Sequence, residues 1–248
     1  SAFYNSGVVT GNIPNTVLSI GGAAFESNSI ASIDLPNGLA DIGSGAFSSN
    51  VLTNIIIPNT VVSIGGAAFS HNKLTSVVIP NGLTELPDSI FAHNALTSVA
   101  IPDSVITIKR SAFYSNAFTS IIIPKNVTSI GQLAFTYNEA AYYHFEGSRP
   151  EIHEEAFGTG LKLKRITYCD TEGWPGDETW LFRARGRDKT LIYPTNDCYG
   201  YLPIPEHTFN ADIAFILKGY GGGTAIPNIN SFDEEAQRVV AAIGALSL

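Results

Sequence analysis

Residues 72–91 read NKLTSVVIPNGLTELPDSIF, and this stretch carries the plan of the chain. Leu74, Val77 and Ile79 fall as L-x-x-L-x-L and run straight into Pro80, which has no amide hydrogen and so ends a strand. The equivalent of the second half one unit earlier is IPNTVVSIGGAAF, residues 57–69, where Val61, Ile64, Ala68 and Phe69 are spaced for neither a long helix nor a second long strand. The expected path is a bend, a brief extended segment from Val61 to Ile64, a turn at Gly65 and Gly66, and a helical or 3-10 turn ending at the phenylalanine.

The same plan recurs along the chain. Phenylalanine falls at Phe3, Phe25, Phe47, Phe69, Phe91, Phe113, Phe135 and Phe157, every step being 22 residues. Proline keeps the same count at Pro14, Pro36, Pro58, Pro80, Pro102 and Pro124, and asparagine at Asn28, Asn50, Asn72, Asn94, Asn116 and Asn138. A 22-residue unit cannot bury its own apolar side, so units must stack into a solenoid with one short parallel strand each. The phenylalanines then form an internal spine. The asparagines form a ladder whose amides serve backbone donors and acceptors at a tight turn.

The phrases NKLTSVVIPNGL, IPNTVVSIGGAAF and IPKNVTSIGQLAF resemble the BspA-type leucine-rich repeat over residues 1–170. Cysteine often stands in that family where this chain has its asparagine ladder. The array's exit, FEGSRPEIHEEAF followed by ITYCDTEGWPG, is also similar to the way such arrays finish. The resemblance implies an α/β repeat solenoid, a leucine-rich-repeat horseshoe with a parallel sheet. It also implies a secreted or cell-surface scaffold for ligand binding or adhesion, an organelle lumen being the alternative compartment.

The period ends near Thr171. Residues 171–248 read as a small α+β cap or domain, with short strands in TWLFRAR, KTLIYP and ADIAFILKGY. A helix is expected to close the chain, N-capped by Ser231 with Glu234 three positions on. A cap is the favoured reading, because the last unit of an array exposes its core.

Of 248 residues, 44% are hydrophobic and 15% charged, with a mean hydropathy of +0.13, which excludes global disorder. The formal charge of −8 works against nucleic acid or an anionic membrane as partner. No run of apolar residues is long enough for a transmembrane span. With no methionine anywhere, the chain is expected to be a processed or excised piece of a longer protein.

No catalytic constellation can be picked out, and no cofactor or metal is expected. Cys169 and Cys198 are the only cysteines. A disulfide between them, which would stabilise by about 3–4 kcal/mol in the chain-entropy model, and two buried thiols are both open readings. His71 and His93 share one repeat position, but that column also holds Ser27, Ser49, Ser115 and Tyr137 and reads as a polar turn position rather than a metal site. His153 lacks the second histidine of H-E-x-x-H, so Glu151, Glu154 and Glu155 around it read as a solvated face. The glycines of GYGGG, residues 219–223, read as a turn. Arg183, Arg185 and Arg187 would share one strand face, either as a patch for an anionic partner or paired with the acidic array. Asn126-Val127-Thr128 is the only glycosylation sequon.

The clearest site argument concerns the sheet. If Leu74, Val77 and Ile79 point inward, the outward column is Asp34, Ile56, Val78, Ala100, Ile122 and His144. Four apolar residues in line there, beside the polar margin Ser32, Asn54, Ser76, Ser98, Ser120 and Tyr142, suit a partner surface on the concave face, cover by the chain's own tail, or mere tolerance of β-branched residues. Three functions follow. The first is a non-enzymatic binding or adhesion scaffold for a protein or glycan. The second is a structural subunit that self-assembles, and the third an enzyme with its site in the tail.

Overall fold

The computed structural model describes residues 1–140, 142–153 and 155–158, together with the backbone of 165–168 and 191–194. The array is a parallel-sheet solenoid. Two ladders run along it. The first is formed by two-residue strands: β1 (Ser19–Ile20), β2 (Asp41–Ile42), β3 (Ser63–Ile64), β4 (Glu85–Leu86), β5 (Thr107–Ile108), β7 (Ser129–Ile130) and β9 (Glu151–Ile152). These pair in parallel as β1-β2-β3 and β4-β5-β7-β9, with Ile20, Ile42 and Ile64 in one register column.

The second ladder is the L-x-x-L-x-L segment. It begins as isolated parallel bridges, Asn12 to Asp34 and Ile56 to Val78 to Ala100. It then widens into full strands: β6 (Ser120–Ile123), β8 (Tyr142–Phe145), β10 (Arg165–Tyr168) and β11 (Leu191–Pro194), in the order β11-β10-β8-β6. The expectation of one strand per repeat is therefore corrected. The brief extended segment ending at Ile64 pairs with its neighbours too, because every rung repeats it at the same height and its free amides and carbonyls meet across one strand spacing.

The first ladder breaks between β3 and β4 for a covalent reason. Elsewhere the amide just after each strand donates to the preceding rung, as Gly65 does to Ile42 at 2.7 Å and Lys109 to Leu86 at 2.9 Å. At that position the fourth rung carries Pro87, which has no N–H to donate to Ile64. At Gly43 the same column also explains a glycine. A β-carbon there would collide with the backbone of Gly22 on the rung before.

Among the described residues no helix is present. The segment before each phenylalanine is a hydrogen-bonded turn, with Ala46 donating to Gly43 and Ser48 to Gly45. The helical turn is replaced because alternate amides are directed to the next rung instead: Ala67 to Asp88, Phe69 to Ile90, His71 to Ala92. Directing them so requires left-handed backbone at two positions per turn. One column is Ser27, Ser49, His71, His93, Ser115 and Tyr137; the other includes Ala67, Ser89, Ser111 and Leu133.

Inside, the eight phenylalanine rings stack near-parallel from Phe3 to Phe157 with centroids 5.3–5.8 Å apart. Phe47 to Phe135 are fully buried, with Leu74, Val77 and Ile79 beside them. The asparagine ladder does what the sequence suggested. The Asn72 side-chain oxygen accepts the Leu52 amide at 3.0 Å, and its nitrogen donates to the carbonyls of Phe47, Phe69 and Ser70 at 2.9–3.2 Å. Asn50 and Asn94 repeat the pattern.

Three substitutions separate spine from surface. Phe69→Ala is expected to cost about 3–5 kcal/mol, and Asn72→Asp, which keeps the acceptor but turns a carboxylate toward three carbonyls, at least about 3 kcal/mol. His71→Ser, which installs the residue that Ser49 supplies one rung earlier, should stay within about 0.5 kcal/mol. Urea denaturation of the three variants checks this; equal losses would mean that the inside and outside of the unit are misassigned.

Candidate functional site

In the second ladder, buried and exposed positions alternate. Ile55 and Ile57, Val77 and Ile79, and Ile121 and Ile123 face the core, while the residue between each pair faces solvent. Ile56 is 78% exposed, Val78 67% and Ile122 38%, and Ala100 and Asp34 are exposed. Ile56, Val78 and Ala100 lie in one bridged column. The polar margin Ser32, Asn54, Ser76, Ser98 and Ser120 is exposed beside it.

His144 departs from the expectation. It takes its place in register with Ile122, but it is 6% exposed. Tyr143 and Phe145 are buried as well, so β8 is covered on both faces and strict alternation no longer marks which side meets water. Tyr142 is half-buried. Burial holds the His144 imidazole below its ordinary pKa and pushes the Tyr143 phenol far above its own. The accessible surface therefore runs from Asp34 to Ile122.

A second grouping lies on the turn edge. His71 and His93 are exposed and stack face to face, with centroids 4.3 Å apart and planes 16° from parallel. The edge of Tyr114 meets His93 at 5.2 Å, and Tyr137 meets Tyr114 at 5.1 Å. Desolvation first, and the neighbouring His71 second, lower the His93 pKa. The polar-turn reading of this column captured its backbone and missed its aromatic line. The available signal was the departure from serine in two adjacent columns, at His71 and His93 in one and at Tyr114 in the other.

The remaining candidates are quickly placed. His153 is exposed and its Nδ1 accepts the Glu155 amide at 3.2 Å. Glu151 is exposed, whereas Glu155 is half-buried and accepts from Gln132 Nε2 at 2.6 Å; Glu154 lies outside the described residues. Asn126 is exposed and donates to the Asp103 carbonyl at 2.7 Å. Among the described residues no three His, Cys, Asp or Glu side chains gather as metal ligands, and no helix is long and apolar enough to cross a membrane. Cys169, Cys198, Arg183, Arg185, Arg187, the GYGGG turn and the expected C-terminal helix lie outside the described residues.

The family model for the BspA type leucine rich repeat region matches residues 1–117 and 62–172, in six copies. The chain belongs to the BspA-type leucine-rich repeat family. Among solved structures this BspA-type chain is similar to a leucine-rich repeat protein from Bacteroides ovatus, at 22% identity over 65% of this chain and 55% of that one, TM-score 0.45. A leucine rich cell surface protein from Faecalibacterium prausnitzii matches at 22% identity over 64% and 63%, TM-score 0.44. A leucine-rich repeat protein from Eubacterium ventriosum matches at 19% over 65% and 60%, TM-score 0.37. The BspA-type chain thus spans between 55% and 63% of these three chains. No curated protein matches it.

The lowered His144 pKa has a consequence for stability. A folded-state value below the unfolded one means that the folded chain binds fewer protons. This contribution is therefore complete above about pH 6.5 and lost as pH falls through the folded value. Glu146, raised by burial and by Asp103 against an opposing Lys125, acts in the other direction on acidification. The expected outcome is that His144→Ile, matching Ile122, loses less stability than the parent between pH 7 and pH 5. Thermal midpoints of both proteins across that range measure it, the difference between them removing the Glu146 effect.

Proposed function

We propose that this BspA-type array is a non-enzymatic binding scaffold that docks a protein partner on the sheet column Ile56, Val78, Ala100 and Ile122. One observation carries the reading: large β-branched side chains, 78% and 67% exposed at Ile56 and Val78, aligned on a rigid ladder with a polar margin. Singly exposed apolar residues are ordinary, but a contiguous line is the composition of an interface core with its rim. Burial contributes about 25 cal/mol per Å², against which stand the costs of association. The regular backbone holds the line in place before binding, so little ordering is required there. Display outside the cell, as the family resemblance implies, is part of the same reading.

The structural-subunit alternative uses the same surface with a second copy as occupant. A photo-crosslinking residue at position 78 of the full-length protein, in its own cells, distinguishes the two. The expected product is one discrete adduct with a different protein, absent when the group is placed at exposed Thr128 on the other ladder. An adduct of twice the chain's mass would favour self-assembly. No adduct would remove the column as a working surface.

Val78→Lys should leave the thermal midpoint almost unchanged and weaken association with the crosslinked partner at least tenfold, about 1.4 kcal/mol. Calorimetric melting and a binding titration check the two halves; a markedly lower melting point would mean that the column is covered by the chain itself. For the compartment, the expected result is a bridged Cys169–Cys198 pair. Intact mass after alkylation without reductant tests it, two alkylated thiols being the contrary outcome.

A further inference from the structure

In a solenoid the fold dictates the same residue at the same position of every rung, so positions that depart from the repeat without a packing reason are where a ligand can be read. Three such columns meet on the turn edge. Serine at Ser27 and Ser49 becomes His71 and His93; the column Ser48, Ser70 and Ala92 reaches Tyr114; and the column Gly22, Ser44, Gly66 and Asp88 reaches Arg110. These side chains converge on a shallow open cleft of about 370 Å³, to which Ser89 and Ser111 also contribute and which no aspartate or glutamate lines. In a chain of formal charge −8, a cleft with a guanidinium, two imidazoles and hydroxyls but no acid is complementary to an anion.

We propose that this cleft binds an acidic sugar, a glycan residue bearing a carboxylate or sulfate ester, with Arg110 holding the anion and His71, His93 and Tyr114 taking the ring. Arg110 is available for this. Among the described residues its guanidinium belongs to neither of the ion pairs Lys109–Glu85 and Lys125–Asp103, and its backbone amide donates to Asp88 Oδ1 at 3.0 Å. A planar guanidinium suits bidentate contact with a carboxylate or sulfate.

The backbone excludes a bare phosphate cradle. The amides that would form one are committed between rungs: His71 to Ala92, Ser89 to Arg110, His93 to Tyr114 and Ser111 to Gln132. Recognition therefore falls to side chains. Hydroxyls and imidazoles pair naturally with a hydroxyl-rich ligand, ring faces with its C–H face, and the openness of the cleft with one residue of a larger glycan. The charged or titratable groups at this edge are Arg110, Asp88, His71, His93, Tyr114 and Tyr137. His93, its pKa lowered first by burial and then by His71, gains positive charge on acidification, which tightens an anion that stays ionised throughout. This site lies on the turn edge rather than on the sheet column, so its success or failure is independent of the docking surface above.

The test is calorimetric titration of the full chain with sialyllactose, with galactose 6-sulfate, with lactose and with inorganic sulfate, at pH 5.5 and 7.5. Each variant installs a residue that another rung already carries there, which preserves the fold: Arg110→Gln as in Gln132, His93→Ser as in Ser115, Tyr114→Ser as in Ser70. The expected result is saturable binding of an acidic sugar, at least threefold tighter at pH 5.5, with lactose at least tenfold weaker. Arg110→Gln should weaken it at least tenfold, and Tyr114→Ser and His93→Ser at least threefold. Sialyllactose or the sulfated sugar binding alone identifies which anion the cleft prefers. Absence of binding for both acidic sugars overturns the proposal, as does binding that Arg110→Gln leaves unchanged. Inorganic sulfate binding as tightly as the sugars, with no loss in the aromatic variants, overturns the sugar assignment.

Discussion

Each ladder asparagine is a clamp between turns: one side-chain amide bonds three carbonyls and one N–H drawn from two successive rungs, as Asn72 does with Phe47, Phe69, Ser70 and Leu52. The Leu52 amide has the Asn72 oxygen as its acceptor, and the three carbonyls, which also accept from Asn50, Asn94 and the Ser49 amide, are tied by it into a network that spans the turns. The clamp holds successive turns at one strand spacing, and at that spacing the phenylalanine rings below it come to near-parallel stacks. An acid in its place would supply the acceptor and lack the donors. A leucine would fill the space and leave the Leu52 amide without its acceptor. The amide column and the ring column therefore enforce the same rise from the polar and the apolar side of the turn.

That rise constrains everything outside it. Because neighbouring turns sit one strand apart, side chains 22 residues apart in sequence become face-to-face neighbours, and any two repeats can build a composite surface without moving the backbone. The stacked imidazoles of His71 and His93 and the aligned Ile56 and Val78 arise this way. One surface is apolar on a sheet, the other aromatic and cationic on a turn edge. The membership of the BspA-type family explains the frame common to both, while their chemistry belongs to positions at which this chain departs from its own repeat.

Local irregularities follow from single residues. Pro87 lacks the hydrogen that would join β3 to β4, and the first ladder is divided there. The solenoid continues across the gap because the second ladder is bridged at Ile56, Val78 and Ala100, the turn amides still donate from Ala67 to Asp88, and Phe69 still stacks on Phe91. Redundant inter-rung contacts let one bond be lost without loss of register.

The sequence by itself determined the period, the inward residues Leu74, Val77, Ile79 and Phe69, and the asparagine clamp, because a 22-residue recurrence leaves only stacking as a way to bury them. It also indicated the exposed column from Asp34 to Ile122 through simple alternation. The tertiary structure decided what alternation and spacing cannot express. The short segment ending at Ile64 became a second ladder because pairing depends on a neighbour at the right height rather than on strand length. His144 lost its solvent because β8 is covered on both faces. The turn-edge cleft came together because residues on successive rungs, Arg110 and His71 among them, are brought side by side only once the rise is set. A residue's own neighbours in the chain govern its backbone, but what its side chain meets depends on the turns above and below.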